Sequence, residues 1–441
     1  MTRRLLSAFS LFAFFLSMSA LPVDKRQARV AAESFLRSKG AVSVLQEVHF
    51  SSSDSNRSKR DGNPYYYIFN VQEGGYLIVA ADDCVPAILA YSEDGALDDD
   101  MPANMRAWLS GYEEIIDVLR LSGRKNVLTS DLPQHEPVEP MLTCLWAQGY
   151  PYNLMLPECH YTTMAGTDSI GHCNVGCEPT AMAHLMHYHQ WPETLPTDIP
   201  GYQNNTDAGG VDAYIEQIDS GTVIPWDEML DTYTRFPELS DDPETSQRAV
   251  ATLMRCCAQS VKSVFSSGSS SFGEDMPFAL TQYLGYAPSL HRETRSDYNT
   301  ETWDNLIYHE LEEGRPVLYE GTTLVSGHVF VVDGTDGTGL YHVNWGWSGV
   351  YNGYFLLLYL NPADDRGHDA EFGLGGYALH QHATVGIKPV RIPSSIDDKP
   401  SPLIDSKSPP IIYDLQGRRV NTNHTLQKGI YIVDGKKCIR R

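Results

Sequence analysis

Residues 176–186 read GCEPTAMAHLM, and this stretch decides the fold of the region around it. Pro179 is typical of a helix start, where its missing N–H costs no hydrogen bond, and good helix formers follow it. The pattern therefore predicts a helix that begins at Cys177, where unpaired backbone N–H groups and the helix dipole favour a thiolate. The negative charge of Glu178 opposes this stabilisation of the thiolate slightly. A free cysteine is usually a small buried hydrophobe, but this sequence context favours a reactive one.

Two downstream segments carry the partners that a reactive thiol needs. Residues 326–334, SGHVFVVDG, predict a strand with His328 at its leading edge. Residues 341–349, YHVNWGWSG, predict another strand followed by a loop rich in glycine and tryptophan. An early cysteine followed far downstream by a histidine and an Asn/Trp element is the order of papain-like nucleophilic catalysis. Spacing alone leaves this open, because such partners meet in space and not in sequence.

A metal site is the competing interpretation of the region around the cysteine. The crowded candidate ligands are His172, Cys173, Cys177, His184, His187 and His189. No Cys-x-x-Cys pair occurs, and the spacing matches no standard zinc-finger or zincin motif. We therefore expect no metal and no other cofactor, and we expect these histidines to be ordinary surface residues.

The residues before this region predict a small α+β unit that has no recognisable set of catalytic residues. Apolar residues repeat at helical spacing over residues 28–36, and Gly40 is placed to end that helix. Two β-rich runs, residues 65–71 and 76–81, are joined by a Gly-Gly turn and predict a hairpin. A second amphipathic helix is predicted over residues 105–119.

Composition limits the class of protein. The chain has 441 residues, of which 42% are hydrophobic, and this is enough for two or three packed domains. Its formal net charge of −23 argues against nucleic acid as a partner and against docking on anionic lipid. Eight cysteines are present, and their pairing cannot be deduced from their positions.

The first twenty residues have the pattern of a signal peptide. Arg3 and Arg4 precede an uncharged apolar run, residues 5–16, and small residues follow. This run is short for a membrane span, and no later stretch is long and apolar enough for one. We therefore expect export without an integral membrane domain. An N-terminal membrane anchor is the alternative.

Two breaks in the pattern divide the rest of the chain. Residues 122–140 are polar and contain glycine and three prolines, which is typical of an exposed linker. Prolines and serines also follow Lys388, and short β-like runs return at residues 411–415 and 429–433. The predicted segments are 1–20, 21–135, 136–391 and 392–441.

The body of the chain resembles the streptopain-like cysteine peptidases. The matching stretches occur in family order: WAQGYPYN at 146–153, the run from Gly176-Cys177 to Pro192, SSGS at 266–269, the run from Gly327-His328 to Gly334, YHVNWGW at 341–347, and VGIKP at 385–389. The joint presence of these motifs is specific, whereas any one of them alone is weak evidence.

The resemblance implies an α+β fold with a papain-like two-lobed catalytic domain, a small α+β propeptide before it and a short β-rich tail after it. It implies Cys177 as nucleophile and His328 as its base. Gln148 would help to stabilise the oxyanion. The third catalytic member stays open between Asn344, which would orient the imidazole, and Trp345.

The resemblance also covers residues near the catalytic centre and outside the body. Ser269, Gly327 and Trp347 correspond to positions that line the substrate cleft or shield the histidine. Residues 21–135 would be an inhibitory propeptide, with Glu136 as the start of the mature enzyme, although a permanent structural domain is the alternative. The tail, residues 392–441, resembles a type IX sorting domain, for which a plain β accessory module is the alternative.

The implied function is that of a secreted or surface-held cysteine endopeptidase, made as a zymogen and monomeric. Its partners would be protein or peptide substrates and its own propeptide. Glu178 and His184 depart from residues that are common in the family, and Cys173 lies four residues before Cys177. Pairing of these two cysteines is therefore a hypothesis. The alternative functions are a catalytically lapsed surface protein that binds partners, and an acyltransferase that uses the same thiol.

Overall fold

The fold is described from a computed structural model. It describes residues 21–41, 43–48, 59–60, 63–98, 101–122, 134–162, 168–269, 271, 276–322, 327–357, 379–390, 412–413, 429–433 and 436–440. The predicted signal peptide lies outside the described residues. The chain divides into two compact units, Met1–Val390 and Arg391–Arg441. No helix in the described ranges is long and apolar enough to cross a membrane.

The described residues alternate between helices and short strands. The helices are α1 Lys25–Ser38, α2 Ala103–Ser122, α3 Cys177–His189, α4 Glu244–Ser260, α5 Met276–Gln282 and α6 Thr300–Glu312. The strands are β1 Leu45–Glu47, β2 Lys59–Arg60, β3 Asn63–Pro64, β4 Tyr66–Val71, β5 Tyr76–Ala80, β6 Ile88–Ser92, β7 Glu158–Thr162, β8 Asp168–His172, β9 Tyr202–Gln203, β10 Tyr214–Ile215, β11 His291–Thr294, β12 Val317–Thr322, β13 Gly327–Thr335, β14 Leu340–Asn344, β15 Gly353–Leu356, β16 Leu379–Val385, β17 Ile412–Tyr413, β18 Gly429–Val433 and β19 Lys436–Arg440.

The small α+β unit predicted before the body, called the N-terminal unit from here on, lies within the first of these compact units and has the predicted elements. Helix α1 begins with a capping box in which Asp24 and Gln27 each accept the other's backbone N–H. It ends before Gly40, whose φ of +79° is readily adopted only by glycine. Strands β4 and β5 form the predicted hairpin, and α2 is the predicted second helix.

One ten-stranded sheet joins the N-terminal unit to the body of the chain. Its strand order is β1-β4-β5-β6-β15-β14-β13-β12-β16-β11. The junction is the antiparallel pair β6–β15, in which Tyr91 lies opposite Tyr354 and Ala90 opposite Phe355. The Tyr76 hydroxyl also donates to the Tyr351 carbonyl at 2.8 Å. The N-terminal unit therefore adds its strands to the edge strand β15.

The two parts also share one apolar core. Trp108 of α2 is fully buried, and its ring lies 5.2 Å from that of Trp345 and 5.7 Å from that of Phe330. Truncating such a buried tryptophan to alanine costs about 3–5 kcal/mol of stability. Helix α2 is thus held against β13 and the loop after β14 by apolar packing.

A second apolar core holds the helical half of the body. Its centre is formed by α3 and α4, with Met182 and Leu185 from α3 and Val250 and Leu253 from α4 fully buried. Leu318 of β12 belongs to the same core. Helix α3 is consequently enclosed between α4 and the sheet, with its first residue beside β13.

The end of the predicted linker is bound to the body. The His135 N–H donates to the Gly337 carbonyl at 3.1 Å, and Val138 exchanges two backbone hydrogen bonds with Thr335 at 2.9 and 2.8 Å. The His135 Nε2 lies 2.6 Å from an Asp304 carboxylate oxygen. Residues 134–140 are therefore held against the body and are not a free linker, because the backbones of His135 and Val138 pair with it. The rest of the predicted linker, residues 123–133, lies outside the described residues.

The second unit contains a three-stranded antiparallel sheet in the order β17-β18-β19. Strands β17 and β18 coincide with the two β-like runs predicted in the tail. Strand β19 was not predicted, because its mixture of lysine, cysteine and arginine has no alternation of apolar and polar residues.

Candidate active site

Cys177 is the first residue of α3, as the sequence predicts. Gly176 before it has a φ of +97°, and a Cβ there would lie 3.4 Å from the Ser269 carbonyl oxygen. The positive φ therefore favours glycine at this turn. The Thr180 hydroxyl donates to the Gly176 carbonyl at 2.7 Å and fixes this turn.

The Cys177 sulfur lies against the start of β13, where the Val329 backbone N–H is its hydrogen-bond donor. Burial raises the pKa of the Cys177 thiol to about 11, although the Val329 N–H has a lowering effect. The Glu178 charge raises this pKa further. In this form the neutral thiol is the stable species, contrary to the expectation from its helix position, because desolvation outweighs the helix N-terminus.

His328 is the second residue of β13, next to Val329, and is 1% exposed. Its Nε2 lies 3.0 Å from the Trp345 carbonyl oxygen, and since a carbonyl only accepts, Nε2 carries the proton. Its ring stacks on that of Trp347 with centroids 4.9 Å apart. Burial lowers the pKa of His328 to about 4, so this imidazole is neutral at pH 7.

The other nitrogen of this imidazole faces the N-terminal unit. Nδ1 of His328 lies 3.3 Å from Nδ2 of Asn104, in the first turn of α2. Because Nδ1 carries no proton in this tautomer, it accepts from the Asn104 amide. No local pattern marks Asn104 in the sequence, since an asparagine in the first turn of an amphipathic helix is ordinary.

The backbone of Gln148 pairs with the segment just before Cys177. Its carbonyl accepts from the N–H of Val175 at 3.0 Å, two residues before Cys177. The adjacent Asn174 donates from its side chain to the Ser267 carbonyl at 2.6 Å. The Gln148 backbone is thus paired with the segment just before Cys177, and the Gln148 side chain is partly buried.

Asn344 and Trp345 lie at the end of β14. The Asn344 side chain donates to the Cys144 carbonyl at 3.1 Å and accepts from the Gly346 N–H at 3.1 Å. Trp345 supplies the backbone carbonyl that meets His328 and stacks its ring on that of Trp347 at 5.3 Å. In this form Nε2 of the imidazole thus meets the Trp345 main chain.

Two of the three predicted cleft residues, Ser269 and Gly327, flank the cysteine and the histidine. The Ser269 hydroxyl exchanges hydrogen bonds with the Ser266 backbone at 3.0 and 3.1 Å, while its carbonyl approaches Gly176. Gly327 is exposed at the start of β13 and pairs with Thr322. Residues 270, 272–275 and 323–326, which neighbour these positions, lie outside the described residues.

The nearby cysteines and histidines do not form a metal centre in the part of the chain that the structure describes. Cys173 and Cys159 are both buried, and their side chains hydrogen-bond to each other. His184 is fully buried, so the expectation that it lies at the surface was wrong. Its Nε2 accepts from the Trp146 N–H at 3.2 Å.

Known proteins share both parts of this architecture. Residues 146–355 match the Peptidase C10 family, and residues 20–116 match the Spi protease inhibitor family. Streptopain of Streptococcus pyogenes is 29% identical over 415 residues, covering 88% of this chain and 98% of streptopain. The thiol protease/hemagglutinin PrtT of Porphyromonas gingivalis is 31% identical over 390 residues, covering 84% of this chain and 42% of PrtT.

A solved structure of a prointerpain A fragment from Prevotella intermedia has a TM-score of 0.61 and 26% sequence identity, covering 78% of this chain and 100% of that fragment. The predicted α+β, papain-like fold with an inhibitor-type domain before it is thereby confirmed. The chain belongs to the streptopain-like cysteine peptidases of the Peptidase C10 family and carries an inhibitor-type domain ahead of its catalytic part.

Proposed function

We propose that this chain is the zymogen of a secreted cysteine endopeptidase in which Cys177 is the nucleophile and His328 the acid–base group. The observation that carries the proposal is the 3.3 Å contact between Asn104 and Nδ1 of His328. An inhibitor-type domain here reaches an imidazole whose chain neighbour, Val329, donates to the Cys177 sulfur. Such a contact is expected of a latent enzyme.

The reaction would follow acyl transfer through a thioester. The Cys177 thiolate attacks the carbonyl carbon of the substrate, and the carbonyl electron pair moves to the oxygen. The His328 imidazolium gives its proton to the leaving amine as the C–N bond breaks. Water, deprotonated by His328, then attacks the thioester, releases the acid and regenerates the thiolate.

The surrounding residues would stabilise this sequence of steps. The Gln148 amide and the Cys177 backbone N–H would donate to the developing oxyanion, an interaction worth about 2.7–4 kcal/mol per donor in enzymes with an oxyanion hole. Trp345 and Trp347 would hold the plane of the imidazole, and Asn344 is a candidate for orienting it.

Substrate contacts remain proposals from resemblance and position. Ser269 and Gly327 flank the cysteine and histidine and would line the cleft. Protein or peptide chains are the substrate class, because a cleft between two lobes accepts an extended backbone. No residue in the described ranges calls for a metal or another cofactor in this chemistry.

Latency would arise from one contact of the N-terminal unit and from desolvation of the site. Asn104 uses the nitrogen of His328 that a thiolate partner needs, and the buried site disfavours both the thiolate and the imidazolium. Because the inhibitor is tethered, its effective concentration at the site is in the millimolar range or above. Residues 21–135 are thus proposed as the propeptide and residues 136–391 as the peptidase domain.

Export completes the proposal. Residues 1–20 would direct secretion, and residues 392–441 would act as a sorting domain that places the enzyme outside the cell. The support is the basic and apolar pattern of the first segment and the sequence resemblance of the second. A peptidase that leaves the cell needs to stay inactive until it is outside, which is the purpose of a propeptide.

The test compares the purified precursor with its Cys177→Ala variant under reducing conditions. Conversion to a shorter form and casein hydrolysis by the wild type, with both lost in the variant, would support the proposal. Casein hydrolysis by the variant would place the nucleophile elsewhere. If neither protein acts after the N-terminal unit has been removed with an added protease, the chain is a lapsed binding scaffold.

A further inference from the structure

His184 lies on α3 seven residues after Cys177, so the two residues are about two helical turns apart. It is fully buried, and its Nε2 accepts the Trp146 N–H at 3.2 Å. Its ring stacks on the indole of Trp146 with centroids 5.8 Å apart. Burial lowers the pKa of His184 to about 3, which keeps Nε2 available as an acceptor at all working pH values.

The partner of His184 belongs to a segment that contacts the end of β14, the loop after it and the residues just before Cys177. We name residues 144–148 the bridging segment. The Cys144 carbonyl accepts from Asn344 at 3.1 Å, and the Trp146 carbonyl accepts from the Ser348 N–H at 3.1 Å. At its end, the Gln148 carbonyl accepts from Val175 at 3.0 Å.

Helix α3 also meets the loop after β14 at this point. Gly346 has a φ of +75°, and a Cβ there would lie 3.2 Å from the Thr180 methyl group and 3.8 Å from Cε1 of His184. The helix that begins with Cys177, the bridging segment and the loop that carries Trp345 and Trp347 therefore converge on the His184 ring.

From this arrangement we propose that His184 is a positioning residue, which fixes the bridging segment to α3 and thereby sets the place of the Gln148 side chain relative to Cys177. The proposal rests on the proposed function, since it assigns Gln148 to the oxyanion. His184 touches no reacting atom in this scheme. Its effect passes through the Trp146 N–H and two residues of backbone.

The same contacts also fit a purely structural role, in which His184 only fills the core. The two roles make different kinetic predictions. A structural role would lower stability and every function of the site together. A positioning role would lower the rate of the chemical step while leaving the reactivity of Cys177 itself intact.

The first test uses two substitutions at one position in the full chain, followed by activation under reducing conditions. His184→Gln keeps an acceptor for the Trp146 N–H, whereas His184→Leu fills similar space without one. We expect His184→Leu to lower kcat about tenfold on a fluorogenic peptide with little change in KM, because small displacements of positioned groups are costly. We expect His184→Gln to stay within about twofold of the wild type.

A control and a second readout separate chemistry from folding. His189→Gln, on the last turn of the same helix, should leave kcat unchanged. The rate at which iodoacetamide alkylates Cys177 should be the same in all variants, since alkylation needs no oxyanion donor. Thermal unfolding shows whether each variant is folded at the assay temperature.

The decisive measurement is a double-mutant cycle with Gln148→Ala. That substitution alone should lower kcat about a hundredfold, as expected for loss of an oxyanion donor. If His184 acts through Gln148, His184→Leu should cost nothing more in the Gln148→Ala background. Additive losses, an equal loss of alkylation rate, or a His184→Gln variant as impaired as His184→Leu would each overturn the proposal.

These outcomes are distinct from those of the proposed function. If the wild-type enzyme does not cleave peptides after removal of its N-terminal unit, the proposed function fails. If it does cleave them and the cycle is additive, only the role of His184 fails.

Discussion

Asn104 of the inhibitor-type domain lies 3.3 Å from Nδ1 of His328, while Nε2 of the same ring lies 3.0 Å from the Trp345 carbonyl. The imidazole thus has a hydrogen-bond partner at each nitrogen and is held in the neutral state. The proposed latency would therefore depend on the placement of one amide as well as on coverage of the site by a domain. This relationship leads to the first prediction.

Asn104→Ala should weaken latency without unfolding the inhibitor-type domain. Loss of one neutral hydrogen bond is worth about 1 kcal/mol, which corresponds to about a fivefold faster appearance of the processed form. Time courses on denaturing gels would measure it. Ser110→Ala is the matched control, because Ser110 lies on the same helix and its hydroxyl donates only locally, to the Ala107 carbonyl. Equal rates for all three proteins would contradict the proposed role of Asn104.

Trp108→Ala should separate the inhibitor-type domain from the catalytic part. The indole packs on Trp345, Phe330 and Phe355, so its truncation removes contacts across the boundary between the two parts. We expect a loss of about 3–5 kcal/mol in the unfolding free energy of the precursor, measured by denaturant titration in a Cys177→Ala background that prevents processing. A loss below about 1 kcal/mol would mean that β6–β15 pairing holds the domain without this core.

Acid should destabilise the precursor through His328. Burial lowers the pKa of His328 from 6.5 to about 4, so between these values the unfolded chain binds the proton more readily than the folded one. The stability that comes from the neutral ring is complete above pH 6.5 and decreases as the pH falls toward 4. By the size of the shift this amounts to about 3 kcal/mol.

The measurement compares unfolding free energies at several pH values for Cys177→Ala and for Cys177→Ala with His328→Asn. Other titrating groups, such as His184, are common to both proteins, so the difference isolates His328. The difference should change between pH 6.5 and 4 in the stated direction. A constant difference would show that His328 is not held neutral in the folded precursor.

Oxidation should join Cys173 to Cys159 and leave Cys177 free. The side chains of Cys173 and Cys159 already hydrogen-bond, and both residues are buried. Cys159 lies on β7, and Cys173 directly follows β8, its partner strand. Treatment with oxidised glutathione, alkylation of remaining thiols and peptide mapping would identify the pair. A disulfide between Cys173 and Cys177, with loss of activity, would instead support the pairing suggested by their spacing in the sequence.

Local patterns were sufficient for several elements of this protein. The helix start at Cys177, the strand start at His328, the Gly-Gly hairpin and α2 all follow from signals within about twenty residues, such as a proline, a paired glycine or an apolar period. The linear order of the cysteine, histidine and Asn-Trp motifs also indicated the family before any contact was known. These features depend on backbone preferences that each segment carries by itself.

Tertiary structure decided what these residues do to one another. Nothing local indicates that Asn104 meets a histidine 224 positions away, that His184 is buried against Trp146, or that β6 extends the sheet at β15. The reversal of the expected Cys177 pKa has the same origin, because desolvation depends on everything packed around the sulfur and a helix dipole only on the nearest turn. The sequence by itself determined which candidate reactive groups the chain carries and in what order; burial and long-range contacts, which form only when the whole chain packs, determined their partners and protonation states in this form.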